Sequence, residues 1–212
     1  MDSDQQKRNA GQRAAQLIEP GMRVGLGTGS TVFYFVEALI ERCRGGLEIQ
    51  AAASSEKTLE MARAGGIPLL KAFDALDITV DGADEIDPMK RMIKGGGGAL
   101  LREKILAFTS SRMVVIVDES KCVDKLGKAK LPLEILPFGH LATAKNIPYK
   151  GEFRKRGNEL FITDNGNYIY DVHFAKLLDD PETIDRELRA IPGVLETGFF
   201  FGLANELIVG VE

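Results

Sequence analysis

The feature that most constrains this chain is a short apolar segment, Met22 to Leu26. It runs into Gly27-Thr28-Gly29-Ser30-Thr31 and then into helical spacing from Val32 to Cys43. In that helix Phe35, Val36, Leu39 and Ile40 form the apolar face. A buried strand, a glycine turn and a helix in this order open a βαβ unit. The pattern recurs. Ile49 to Ala53 reads as a strand, and Ser54-Ser55-Glu56 opens a helix to about Ala64, with the serines suited to an N-cap. Leu76 to Val80 reads as a strand ending at Asp81, Ala99 to Ser110 as a helix, and Met113 to Val117 as a strand ending at Asp118. A first helix precedes them all, with Ala10, Ala14, Leu17 and Ile18 near one face, and stops at Glu19-Pro20-Gly21. Strands alternating with helices predict an α/β fold, a parallel sheet with helices on both faces.

The pattern changes after Gly127. Leu131 to Leu136 reads as a strand, a short helix follows, and Gly151 to Arg154 reads as extended. Leu160 to Thr163 and Tyr168 to Val172 flank the turn Asp164-Asn165-Gly166-Asn167 and predict a hairpin. Pro181 to Ala190 predicts a helix, with proline at its start and Pro192-Gly193 after it. Val194 to Phe201 and Glu206 to Val211 predict further strands. The expected organisation is a catalytic α/β domain over 1–127, rejoined by a last strand at about 203–212, and a smaller α+β domain over 128–202.

Composition removes several classes of function. The 212 residues carry a net charge of −4, so no broad cationic field exists to hold nucleic acid or an anionic membrane surface. The longest apolar runs are too short to span a bilayer, and the N-terminus MDSDQQKRNAGQRAA has no apolar core of a signal peptide. The expectation is a soluble, cytoplasmic protein. Cys43 and Cys122 form no C-x-x-C pair and read as reduced thiols, while His140 and His173 sit in no metal-ligand motif. Chemistry therefore falls to carboxylates and lysines.

In a parallel α/β sheet, ligands bind beyond the carboxyl ends of the strands. Gly25-Leu26-Gly27-Thr28-Gly29-Ser30-Thr31 lies at such an end. It fails as a dinucleotide fingerprint, because Ser30 occupies the third glycine position and Ala51-Ala52-Ala53 stands where an acidic residue would end the second strand. It fails as a P-loop because no Gly-Lys-Ser/Thr follows. What remains is a hydroxyl-rich glycine turn at a helix N-terminus, which suits a small phosphate group. Asp81-Gly82-Ala83-Asp84-Glu85-Ile86-Asp87 packs four carboxylates into seven residues, which needs cations or hydrogen-bond donors nearby. Lys94 and Gly95-Gly96-Gly97-Gly98 follow, then Arg102-Glu103-Lys104 early in a helix, and Asp118-Glu119-Ser120-Lys121 after the fourth strand. Consecutive glycines allow close backbone approach to a ligand.

Taken together these segments resemble the motif set of the type A ribose-5-phosphate isomerase family. Leu131-Pro132-Leu133-Glu134-Ile135-Leu136-Pro137, Thr163-Asp164-Asn165-Gly166-Asn167 and Ile191-Pro192-Gly193-Val194 resemble its later landmarks. The similarity covers nearly the whole chain in order and spacing. It implies a Rossmann-like parallel-sheet large domain and a ferredoxin-like α+β small domain, assembled as a homodimer or homotetramer. It implies interconversion of D-ribose 5-phosphate and D-ribulose 5-phosphate in the non-oxidative pentose phosphate pathway, with a small sugar phosphate as partner and neither metal nor cofactor. It places the phosphate near Lys7, Thr28, Gly29, Ser30, Thr31 and Lys121. The sugar is placed along Asp81, Gly82, Ala83, Asp84, Lys94, Gly95, Gly96, Gly97 and Glu103.

Such an isomerase moves a proton between adjacent carbons, and the resemblance implies Glu103 as its carrier. Exclusion of water would raise the basicity of that carboxylate. Lys94 and loop amides suit the developing oxyanion, Asp81 suits acid–base help in ring opening, and Asp84 suits positioning of hydroxyls. An amino-sugar-phosphate deaminase is a competing reading, but neither His140 nor His173 lies near the motifs in sequence. A sugar-phosphate sensor is another, but no stretch before Met22 is long enough for a DNA-binding module.

Overall fold

A computed structural model describes residues 2–211. In chain order its elements are α1 (Ser3–Ala15), β1 (Arg23–Leu26), α2 (Ser30–Arg44), β2 (Gln50–Ala53), α3 (Glu56–Ala64), β3 (Leu76–Asp81), β4 (Glu85–Ile86), β5 (Met92–Ile93), α4 (Leu100–Thr109) and β6 (Ser110–Val117). A 3-10 turn at Glu119–Lys121 follows. Then come β7 (Leu131–Ile135), α5 (His140–Lys145), β8 (Gly151–Phe153), β9 (Lys155–Arg156), β10 (Glu159–Leu160), β11 (Tyr168–Val172), α6 (Pro181–Arg189), β12 (Val194–Thr197), β13 (Phe199–Phe200) and β14 (Glu206–Val209).

Two compact units share these elements. The first comprises Met1–Ala83, Arg102–Cys122 and Gly202–Glu212. Its five-stranded sheet has the order β14-β6-β3-β1-β2, and every neighbouring pair is parallel. The last strand rejoins this sheet beside β6, as the sequence predicts. Alternation along the strands explains the two covered faces. Val24, Leu26, Ile78, Val80, Val114 and Ile116 pack with Ala10 and Ala14 of α1 and with Phe35, Val36 and Leu39 of α2. Ala52 and Leu76 pack with Leu106 of α4, and the Thr79 hydroxyl donates to the Leu106 carbonyl. Each fully buried Phe or Leu in these layers contributes about 1.5–3 kcal/mol of transfer free energy. The continuous apolar run Met113–Val117 of β6 follows from burial on both faces.

The second unit comprises Asp84–Leu101 and Val123–Phe201. Its main sheet is antiparallel with the order β12-β7-β11-β8, and β13-β5-β4 form a second, three-stranded sheet. Leu131, Leu133 and Ile135 of β7 pack with Tyr170 and Val172 of β11, Leu188 of α6, Ile147 and Ile93. Residues Asp84–Leu101, read from sequence as part of 1–127, lie in this unit because β4 and β5 pair with each other and β5 pairs with β13.

Two strand expectations are corrected here. Leu160 to Thr163 and Tyr168 to Val172 do not pair as a hairpin; only an isolated bridge joins Ile162 to Tyr168. The partners of β11 are β7 and β8. The turn between the two segments is instead fastened to β7. Glu134 is fully buried, and its Oε1 accepts from Thr163 Oγ1 at 3.0 Å, Asn165 Nδ2 at 3.0 Å and Asn167 Nδ2 at 2.8 Å. The stretch Val194 to Phe201 is two strands in two sheets, interrupted at Gly198. There Gly198 donates its N–H to Pro132 and accepts from the Lys94 N–H, so the chain passes from one sheet to the other.

Glu134→Ala should strand two buried donors, on Thr163 and Asn167, and release the exposed Asn165 amide. Each buried donor costs about 1–3 kcal/mol when left unsatisfied. The expected outcome is a clearly lower urea midpoint than that of the parent, with Glu134→Gln between the two because its amide oxygen still accepts.

Candidate active site

Four loops leave the carboxyl ends of the parallel strands in the first unit, and three of them, after β1, β2 and β3, interlock. Asp81 closes β3 with no exposed surface. Its Oδ1 accepts from the Thr28 N–H at 3.1 Å and from the Gly82 N–H at 2.7 Å. Gly27 is a glycine for a steric reason: a Cβ there would fall on the Asp81 carboxylate. The glycine turn and the acidic strand end are thus one structure, although 53 residues separate Thr28 from Asp81.

Thr28 faces a second loop as well. Its Oγ1 lies 2.7 Å from Ser54 Oγ and 2.8 Å from Ser55 Oγ, and Thr58 Oγ1 donates to the Gly27 carbonyl at 2.9 Å. Ser55 also caps α3 by accepting from the Thr58 N–H at 3.2 Å. In sequence this hydroxyl cluster is the polar segment Ser54–Thr58 at the carboxyl end of the second strand, with Thr58 one helical turn after the capping serines.

The turn ends at α2, whose N-cap is Gly29 with φ +131°, and no side chain caps it. Ser30 is exposed and Thr31 is buried in the first turn. The amides there and the helix dipole suit an anion. Lys7 lies on α1 and Lys121 ends the 3-10 turn, both half-buried. Gln6 joins these two elements, because its Oε1 accepts from the Glu119 N–H at 3.0 Å. Asp118 caps the same turn through Ser120.

Glu103 sits in the first turn of α4 and is 3% exposed. The next-door Arg102 reaches Glu56 of α3 at 2.9 Å, which ties this turn of α4 to the loop-and-helix set around Ser55. A negative carboxylate in a first helical turn is favoured by the helix dipole.

In the second unit the acidic run resolves into two kinds of carboxylate. Glu85 and Asp87 are 3% exposed, and both hold backbone. Glu85 accepts from the N–H groups of Gly127 at 2.8 Å and Ala129 at 2.7 Å. Asp87 accepts from the Met89 and Arg91 N–H groups and pairs with the Arg91 guanidinium at 2.6 Å. Asp84 differs, being half-buried, with Oδ2 accepting from the Gly96 N–H at 2.8 Å. A Cβ at Gly96 would come 2.7 Å from Asp84 Oδ1, so the glycine run is matched to this carboxylate. Lys94 is 2% exposed, with its ammonium 5.4 Å from the centre of the Phe200 ring. Gly95 is buried, and Gly96 and Gly97 are exposed. Gly82 and Ala83, in the first unit, are half-buried.

The histidines and cysteines have structural surroundings. His140 lies edge-on to Phe153 and Tyr168, and His173 faces Glu152. Burial raises the thiol pKa of Cys43, and raises that of Cys122 with help from Glu119 and Asp118, so neither is poised as a thiolate. Among the described residues no group of three His, Cys, Asp or Glu is arranged to hold a metal ion, and no helix is long and apolar enough to cross a membrane.

Gly27→Ala should push the Asp81 carboxylate from its place while leaving the five strands intact. A displacement on the order of 1 Å at a catalytic group costs about 10²-fold in turnover. Steady-state turnover, with circular dichroism to check the fold, would measure it.

Comparison with known proteins agrees with this architecture. Residues 50–212 match the family model for ribose 5-phosphate isomerase A (phosphoriboisomerase A). The ribose-5-phosphate isomerase A of Protochlamydia amoebophila is 48% identical, over 97% of this chain and 91% of that protein. That of Parvibaculum lavamentivorans is 46% identical, over 100% and 96%. Among solved structures, the ribose 5-phosphate isomerase of Plasmodium falciparum superposes with a TM-score of 0.92 at 37% identity, covering 96% of this chain and 93% of that one. A D-ribose-5-phosphate isomerase in complex with phospho-erythronic acid superposes with a TM-score of 0.93 at 39% identity, covering 99% and 96%. The chain therefore belongs to the ribose 5-phosphate isomerase A family, enzymes that interconvert ribose 5-phosphate and ribulose 5-phosphate.

Proposed function

We propose that this chain carries out that interconversion through an enediolate, with Glu103 moving the proton between C1 and C2. The observation that supports the reading best is the pair of buried carboxylates, Asp81 and Glu103, in the same unit as an α2 N-terminus that no side chain caps. The sugar phosphate carries its negative charge at one end and reacts at the other. The amides of Thr28 to Thr31, with Lys7 and Lys121, are the groups suited to the phosphate. The phosphate does not react. Its binding energy raises the rate by holding C1 and C2 against the base.

The chemistry follows from the substrate. Ring opening moves the anomeric hydroxyl proton to the ring oxygen, and Asp81 is the acid–base group assigned to it. Its carboxylate is fixed by Thr28 and Gly82 and so has a defined direction. Glu103 then takes the proton on C2 of the open aldose. The electron pair forms the C1–C2 double bond, and the former carbonyl oxygen O1 becomes an oxyanion. Return of the proton to C1, loss of the O2 proton and protonation of O1 give the ketose. Burial of Glu103 limits bulk water's access to the proton in transit without preventing its exchange when the site opens. Lys94 is the cation assigned to the oxyanion and Asp84 the group assigned to sugar hydroxyls, in the roles that family membership implies.

The relative bound to phospho-erythronic acid supports the same chemistry. A phosphorylated four-carbon aldonate ends in a planar carboxylate, which resembles the O1–C1–C2–O2 edge of the enediolate. Sites shaped for catalysis favour such molecules over substrate. We further propose that the protein works in the cytoplasm as a homodimer or homotetramer, without metal or cofactor.

Glu103→Gln keeps the shape and removes the base. The expected loss in kcat is about 10²–10⁴-fold, with KM for ribose 5-phosphate little changed. Near-normal turnover by the purified variant would remove Glu103 from this role.

A further inference from the structure

Arg154 lies 58 and 59 residues from the glycine run in sequence, yet its guanidinium is fastened to it. Nη1 donates to the Gly95 carbonyl at 3.1 Å and to the Gly96 carbonyl at 2.9 Å. The rest of the group is held by Asp171 of β11: Nε donates to Oδ2 at 2.9 Å and Nη2 to Oδ1 at 2.6 Å. Both side chains are largely buried, at 16% and 6% exposure, so this fork is not a solvent-screened surface pair. The ring of Phe161 lies 5.7 Å from the guanidinium carbon and helps to confine it.

The Gly95 carbonyl and the Gly96 N–H belong to one peptide group. Arg154 donates to its oxygen, and its N–H donates to Asp84 Oδ2 at 2.8 Å. We infer that Arg154 is a positioning residue for Asp84, acting through the Gly95–Gly96 peptide. A cation on the oxygen polarises the amide and strengthens the N–H as a donor to the carboxylate. It also fixes the plane of a peptide flanked by glycines, which otherwise turns freely. Asp171 sets the guanidinium, the guanidinium sets the peptide, and the peptide sets Asp84. Lysine cannot take this place, because its single ammonium cannot hold Asp171 as a fork and reach two carbonyls together.

The inference rests on the assignment of Asp84 to sugar hydroxyls, and the test separates the two. Turnover of ribose 5-phosphate is measured for the parent, Arg154→Lys, Asp84→Asn and the double variant, with thermal melting of each. Arg154→Lys is expected to lower kcat about 10²-fold, the scale of a small misplacement at a reacting centre. In the Asp84→Asn background the same change is expected to lower kcat less than about 2-fold, because neighbours acting through one contact are not additive. A merely structural role predicts equal losses in both backgrounds, and equal losses overturn the inference while leaving Asp84 in place. Parent-like turnover by Asp84→Asn alone overturns the assignment of Asp84, and the inference falls with it. Should Arg154→Lys fail to fold, Asp171→Asn enters the same cycle, since Asp171 touches the guanidinium and not the glycines. There too, a loss confined to the Asp84 background supports the inference and equal losses overturn it.

Discussion

A carboxylate with no exposed surface, at the end of the central strand of a parallel sheet, organises the first unit of this molecule. Asp81 cannot be buried there without donors, and the Thr28 and Gly82 amides supply them. Thr28 reaches it only because Gly27 carries no side chain. The same Thr28 meets Ser54 and Ser55 with its hydroxyl, which brings the end of β2 into register with the end of β1. Three strand ends are thereby locked by one threonine and one aspartate. The α2 N-terminus, which follows directly, inherits that rigidity.

The second unit uses buried carboxylates differently. Glu85 gathers the Gly127 and Ala129 amides, Asp87 closes the Met89–Arg91 turn, and Glu134 holds three side chains of the Thr163–Asn167 turn. Each binds several donors, which makes its burial tolerable. Asp84 is the member of the acidic run whose partner is the glycine loop, and Arg154 with Asp171 stiffens that loop from behind. Four neighbouring acids in sequence thus separate into a strand-end group at Asp81, a loop-facing group at Asp84 and two structural groups.

The parallel sheet was legible because its strands are apolar on both faces and its helices carry period-3.6 stripes. Even the return of β14 to the first sheet could be anticipated. The two-residue strands Glu85–Ile86 and Met92–Ile93 could not, since so short a stretch carries no periodicity, and Phe199–Phe200 reads in sequence only as a continuation of Val194–Thr197. The misread hairpin shows a different limit. The Asp164-Asn165-Gly166-Asn167 turn signal was real, but a single buried Glu134 on another strand decided what the turn binds. Of the candidate residues, Asp81, Asp84 and Lys94 stood out as charged residues beside glycines, and Glu103 only through the family resemblance. Gln6 and Arg154 did not, because their importance lies in contacts made across 113 and 59 residues of chain.

The central chemical claim is that hydrogen crosses from C2 to C1 as a proton on a carboxylate. Conversion of ribose 5-phosphate in deuterium oxide tests it most directly, with the ketose C1 position read by mass spectrometry and proton NMR. A proton held on Glu103 exchanges with solvent in the turnovers that open before transfer, so the expected result is deuterium at C1 of ribulose 5-phosphate, lost in Glu103→Gln together with turnover. Complete retention of the substrate's own hydrogen, with no solvent deuterium at C1 at any extent of reaction, would contradict it and point to direct hydride transfer between the carbons.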